Sequence, residues 1–153
     1  MKVAVIYYSR YGNTEKAAKA IMEGLKEAGH DVDLIEAKQQ KDLGTGYEFV
    51  VVGSPTRAGK MSGPIKKFIK KNFSGDQWKD FPFAAFGSCL EDTIEKGSSC
   101  AANDINKALE ERGLKPLADY YQNVVKGWKG PLPDDGEEKA REFGKQVGAK
   151  LSG

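Results

Sequence analysis

Six consecutive residues concentrate the chemistry available to this chain: Ser9-Arg10-Tyr11-Gly12-Asn13-Thr14. They follow an apolar run at residues 3–8 and precede a helical pattern. The first amides of a helix have no partner inside it, so hydroxyls, an amide and a glycine at that point make an anion site. Gly12 lets the backbone approach a phosphate without a Cβ in the way. The spacing is neither GxGxxG nor GxxxxGK[ST], so neither a Rossmann dinucleotide site nor an NTPase P-loop is indicated, although Arg10 can reach a phosphate. A helix cap alone requires one polar residue rather than a run of this length.

The flanking elements have to hold those groups in place. Residues 3–8, 49–52 and 83–86 are short continuous apolar runs, as central parallel strands covered on both faces require. Gly53 and Gly87 are expected to close the second and third of these runs and to open loops at their carboxyl ends, where ligands sit in such sheets. Val32, Leu34 and Ile35 form a more alternating strand and Val124-Val125 end another, both at sheet edges. Ala17, Ala18, Ile21, Met22, Leu25 and Ala28 place an apolar stripe on a first helix closed by Gly29. Ser62-Gly63-Pro64 supplies a cap and an early proline for a second, with Ile65, Phe68 and Ile69 inward and Lys66, Lys67, Lys70 and Lys71 on the solvated face. Ala101, Ala102, Ile105, Ala108 and Leu109 mark a third helix ended by Gly113. Asp134 and Asp135 start a fourth, carried by Ala140, Phe143, Val147 and Leu151. Residues 39–46 fit either a short helix or a loop, and residues 128–133 read as a connection into the last helix. Alternating strands and helices with right-handed crossovers predict an α/β, doubly wound, five-stranded parallel sheet in one domain spanning residues 1–153.

Composition narrows the function classes. Lys and Arg number 24 against 22 Asp and Glu, a net charge of +2 that offers no footprint for nucleic acid. With 39% hydrophobic and 30% charged residues the chain is globular rather than disordered. No run approaches the roughly 20 apolar residues of a membrane span, so no membrane insertion is expected. The start passes from Lys2 directly into a strand, without the apolar middle of a signal peptide, and a cytoplasmic location is expected. Cys89 and Cys100 form neither a CxxC pair nor a metal-ligand repeat; they read as reduced thiols, Cys100 as a packing residue. No metal is expected, and His30, after Gly29, reads as a surface turn residue.

The run Ser9 to Thr14 resembles the phosphate loop of the flavodoxins and flavodoxin-like FMN proteins, [ST]-x-T-G-x-T, with Tyr11 in place of the threonine. The resemblance extends over nearly the whole chain. The stretch Tyr7-Tyr8-Ser9-Arg10-Tyr11-Gly12-Asn13-Thr14 looks like the branch that includes quinone reductases and the flavodoxin domains of larger electron-transfer proteins. It implies a flavodoxin-like three-layer sandwich with strand order 2-1-3-4-5 and FMN held non-covalently. Two further FMN loops would be Gly53-Ser54-Pro55-Thr56-Arg57-Ala58-Gly59-Lys60 and Gly87-Ser88-Cys89-Leu90-Glu91-Asp92-Thr93. The cofactor residues it implies are Ser9, Arg10, Tyr11, Gly12, Asn13, Thr14, Pro55, Thr56, Arg57, Ala58, Gly59, Ser88, Cys89, Leu90 and Asp92.

Ala58 or Gly59 stands where the family turns a peptide carbonyl toward the reduced ring, a movement that Gly59 makes sterically cheap. Neither of the two ring loops contains Phe, Tyr or Trp. Arg57 stands where a tryptophan is common in the family, and its guanidinium can stack on the ring for about 0.5–2 kcal/mol. The opposite face is left open to a substrate or a partner's aromatic. Arg57 and Lys60 in one loop are opposed by Glu91, Asp92 and Glu95 in the other.

The resemblance implies an electron carrier that passes electrons between a donor and an acceptor protein, as a monomer or weak oligomer, and favours that role over a stand-alone enzyme while leaving the enzyme reading open. The alternatives are an NAD(P)H-dependent quinone or flavin reductase of the same group, and a flavin-free domain of the same fold. No triad or carboxylate pair is present as a catalytic set, and none is needed where a cofactor carries the electrons.

Overall fold

The computed structural model describes residues 1–57, 59–90, 100–125 and 135–152. The three apolar runs form β1 (Lys2–Tyr7), β3 (Phe49–Pro55) and β4 (Pro82–Leu90), whose interior residues are buried almost throughout because helices cover both faces. β2 (Asp31–Glu36) pairs with β1 at one edge, with Asp31 and Asp33 turned to solvent and Val32 and Ile35 inward. All pairings named between strands are parallel, and the order is β2-β1-β3-β4 followed by a fifth position beside β4. This is the expected 2-1-3-4-5 sandwich.

The fifth position departs from a single strand. It is occupied by two pieces, β5 (Lys115–Pro116) and β6 (Tyr121–Val125), both parallel to β4. Phe83 of β4 lies opposite Pro116 while Phe86 lies opposite Tyr121, so three steps along β4 are matched by five on its neighbour. The Lys115 and Leu117 amides donate to the Phe81 and Phe83 carbonyls, so the Pro116 nitrogen faces away from β4, and the surplus residues leave the ladder before Tyr121 re-enters.

A second correction concerns Gly53 and Gly87, which lie inside β3 and β4 instead of ending them. A Cβ on Gly53 would fall within the Phe86 ring, and one on Gly87 would come within 3.0 Å of the Ala102 amide and the Ser54 carbonyl. These glycines serve close packing, and the strands run on to Pro55 and Leu90.

The helices are α1 (Asn13–Glu27), α2 (Gly63–Asn72), α3 (Ala101–Glu111) and α4 (Gly136–Ser152). α2 and α3 cover one face, where Ile65, Phe68, Ile105 and Leu109 pack on Ile6, Val50 and Val52. α1 and α4 cover the other, with Ile21, Leu25, Ala140 and Val147 against Val5, Val51 and Phe86. Lys66, Lys67, Lys70 and Lys71 are exposed, as their spacing predicts. Residues 39–46 resolve as a loop without helix or strand, pinned where the Asn72 side chain accepts the Leu43 amide at 2.9 Å and donates to the Lys41 carbonyl.

His30 is a third correction: it is 8% exposed rather than a surface residue. Its Nε2 lies 2.8 Å from the Gly148 carbonyl and its Nδ1 3.2 Å from the Met1 amine. Glycines bring α4 this close, since Gly24 of α1 and Gly144 of α4 leave no room for a Cβ against the facing backbone.

Candidate functional site

The carboxyl ends of β1, β3, β4 and β6 open on one side of the sheet, where the rest of the site is assembled. β1 ends at Tyr7, and the chain turns through Ser9 to Gly12 into α1. Gly12 holds φ +94 with nothing within 4 Å of a Cβ there, so the backbone conformation, not crowding, calls for glycine. Its amide donates to Ser9 Oγ at 3.0 Å, which leaves the Ser9 hydroxyl proton to donate elsewhere. The Lys16 amide makes the first helical bond, to the Gly12 carbonyl at 3.0 Å. The amides of Asn13, Thr14 and Glu15 ahead of it have no partner within the helix, and Gly12 brings no capping side chain.

Across the sheet, Thr14 Oγ1 donates to Ser88 Oγ at 3.3 Å, joining this loop to the end of β4. The second loop leaves β3 at Pro55. The Arg57 amide donates to the Lys60 carbonyl at 2.8 Å and the Lys60 amide returns to Arg57 at 2.9 Å, a tight turn with Gly59 at φ +79. Ser54 ties the two ends of that loop together: its Oγ accepts the Ser62 amide at 2.8 Å and lies 3.0 Å from Ser62 Oγ. Ser62 therefore occupies the N-cap position of α2 without capping it, its hydroxyl being engaged with Ser54.

The same loop is fastened to α3. The Ala101 amide donates to Thr56 Oγ1 at 2.9 Å and the Met61 amide donates to Asp104 Oδ2 at 3.0 Å. Ser62, expected as a cap, bonds Ser54 instead, and neither that bond nor the part played by Asp104 has a local signal, because each depends on how separate elements meet.

One groove is lined by Ser9, Arg10, Tyr11, Asn13 and Thr14 on one side, Pro55, Thr56 and Arg57 on another, and Ser88, Cys89 and Leu90 on the third. Gly12 and Gly59 shape the two turns without lining it, and Val125, expected as the end of an edge strand and not as a site residue, completes the wall. Ala58 and Asp92 lie outside the described residues, as do Glu91 and Glu95. Arg57 is exposed. Tyr11 is 41% exposed with the Arg10 guanidinium 5.3 Å from its ring centroid, so the replacement in the first loop brings an aromatic surface to the groove.

Burial sets the protonation of groups around the groove. Tyr7 is pushed up to about 12 by burial and by donating to Glu15 Oε1 at 3.1 Å. Burial, then the neighbouring Cys100 thiol, pushes Cys89 up to about 12. Both remain protonated at neutral pH. The groove thus offers amides, hydroxyls and guanidinium groups at one end and Pro55, Leu90 and Val125 as apolar wall beside them, a combination suited to a ligand with an anionic end and a flat apolar body.

A family model described as a flavodoxin domain matches residues 4–123. The NAD(P)H dehydrogenase (quinone) of Brucella anthropi is 29% identical over a 158-residue alignment that covers 83% of this chain and 78% of that protein. The protein of the same name from Methylocella silvestris is 33% identical over 98 residues, and the match spans 50% of this chain and 48% of that protein, about half its length. The solved structure of a flavodoxin from the domain Archaea superposes with a TM-score of 0.81 at 24% identity, covering 100% of both chains.

Proposed function

The chain belongs to the flavodoxin-domain family, and we propose that it binds FMN non-covalently in the groove and carries electrons between redox partner proteins. The observation that carries this reading is the meeting, on one groove, of the uncapped start of α1 with the Arg57 turn and the end of β4. The donor set fits the cofactor. The amides of Asn13, Thr14 and Glu15, with the hydroxyls of Ser9 and Thr14, would hold the phosphate at a helix N-terminus, where the dipole favours negative charge. Pro55, Leu90, Cys89 and Val125 would receive the ring, and Arg57 and Tyr11 offer planar groups at its border. When bound, FMN supplies the redox chemistry, taking up and releasing electrons one or two at a time. The protein's part is to grip the phosphate, exclude water from one face and set the local charge.

Protein partners, a cytoplasmic setting, a single functional domain and a monomeric or weakly associating state belong to this proposal. Among the described residues no helix is long and apolar enough to cross a membrane.

A second reading, an NAD(P)H-dependent quinone reductase, is favoured by the name of the Brucella anthropi relative and by the absence of aromatics from the two ring loops, which leaves a ring face accessible. Absorbance spectra of the purified protein with and without added FMN test the cofactor; absence of uptake would overturn both readings. Steady-state NAD(P)H oxidation with a quinone then separates them, because a pure carrier turns over slowly without a partner.

A further inference from the structure

Cys89 belongs to β4 and Cys100 precedes α3, eleven positions on, yet their Sγ atoms lie 3.5 Å apart. A disulfide needs about 2.05 Å between sulfurs, so roughly 1.5 Å of approach separates contact from bond. Cys100 is 9% exposed and Cys89 3%, so Cys100 is the thiol a small solute meets first, while Cys89 lines the groove. No group of three metal-ligating side chains is present among the described residues to assign the thiols to a metal. The pair also joins the two halves of the site, since Ser88 beside Cys89 bonds Thr14 and Ala101 beside Cys100 bonds Thr56.

We propose that Cys89 and Cys100 are a redox-active dithiol that a hydroperoxide closes to an intramolecular disulfide. In the first step one peroxide oxygen is transferred to the Cys100 sulfur, the O–O bond breaks, and water (or the alcohol) leaves, giving a sulfenic acid. In the second, Cys89 Sγ attacks the Cys100 sulfur; the S–S bond forms, the S–O bond breaks, and the hydroxyl departs as water with the Cys89 proton. Two thiols lose two electrons to one peroxide. The more exposed Cys100 takes the first role, and Cys89, in contact with it, gives up its proton as it attacks in the second.

The test needs no flavin and is decided independently of the cofactor reading. Native protein is treated with hydrogen peroxide, denatured, alkylated with N-ethylmaleimide and weighed intact. The expected product has lost two hydrogens, takes up no maleimide, and regains two maleimide adducts after dithiothreitol. In Cys89→Ala the second step is blocked, and dimedone should trap a sulfenic acid on Cys100. Two maleimide adducts after peroxide, a disulfide found only between chains, or no dimedone adduct in Cys89→Ala would each overturn the proposal.

Discussion

The Thr56 hydroxyl accepts the first amide of α3, that of Ala101, across 2.9 Å. The loop that carries Arg57 is thereby fixed to a helix on one face of the sheet, and Asp104 repeats the attachment through the Met61 amide. Thr56→Val keeps the shape and removes the acceptor, at a cost of about 1 kcal/mol in urea unfolding, whereas Thr56→Ser stays near the parent. FMN affinity should fall with the first substitution and recover with the second.

Thr14 tests the phosphate end of the proposed FMN site. Thr14→Val removes a hydroxyl that donates to Ser88 in the free protein and would turn its proton to the phosphate, and the dissociation constant for FMN should rise by about tenfold, the loss of one charge-assisted hydrogen bond. Riboflavin, which has no phosphate, should bind Thr14→Val as it binds the parent. Equal losses for the two ligands in fluorescence titrations would remove the phosphate from this end of the groove.

Gly53→Ala places a methyl group inside the Phe86 ring. Both residues are buried in the sheet, so the ring must leave its position, and overpacking of this kind costs about 1–3 kcal/mol. The double variant Gly53→Ala with Phe86→Leu should recover part of that loss in denaturant titrations.

Cys89 gives the fold an alkaline limit. Its thiol rises from the usual 9.0 in the unfolded chain to about 12 in the folded one. A pKa raised by folding contributes stability that is complete below pH 9 and is lost as pH climbs toward 12. Tyr7 and Tyr121, pushed from 10.0 to about 12, act in the same direction over the upper part of that range. Thermal midpoints should fall across it, and Cys89→Ala should fall less steeply than the parent.

Arg57 is exposed at the edge of the groove. Replacing it with glutamate exchanges a positive charge for a negative one and disfavours electron uptake by a bound flavin. Solvent screens much of the effect, leaving a downward shift on the order of tens of millivolts. Spectroelectrochemistry reads this directly, and unchanged midpoint potentials would exclude Arg57 from the ring's field.

What could be read from the sequence was whatever is encoded by neighbours. The run Ser9 to Thr14 is a local feature: strand, glycine turn and helix start follow one another, and the geometry repeats that order. The stripe on α1, the lysine face of α2 and the buried runs of β1, β3 and β4 are periodic signals of the same kind. The remainder depends on partners distant in the chain. His30 is buried because Gly148 comes to it across 118 positions, and Gly53 is required by a ring on the next strand. Neither Ser62's engagement with Ser54 nor the division of the fifth strand leaves a mark on local pattern, since both follow from how separate elements meet.

The interruption between Pro116 and Tyr121 also bears on self-association. A parallel sheet that ends in an unbroken ribbon offers a row of hydrogen-bonding groups on which another molecule can add a strand. Here one margin is divided and carries a proline, while the opposite margin presents the carboxylates of Asp31 and Asp33 to solvent. Stacking of copies side by side into an extended aggregate is thus discouraged at both borders, by missing continuity at one and by repulsion at the other.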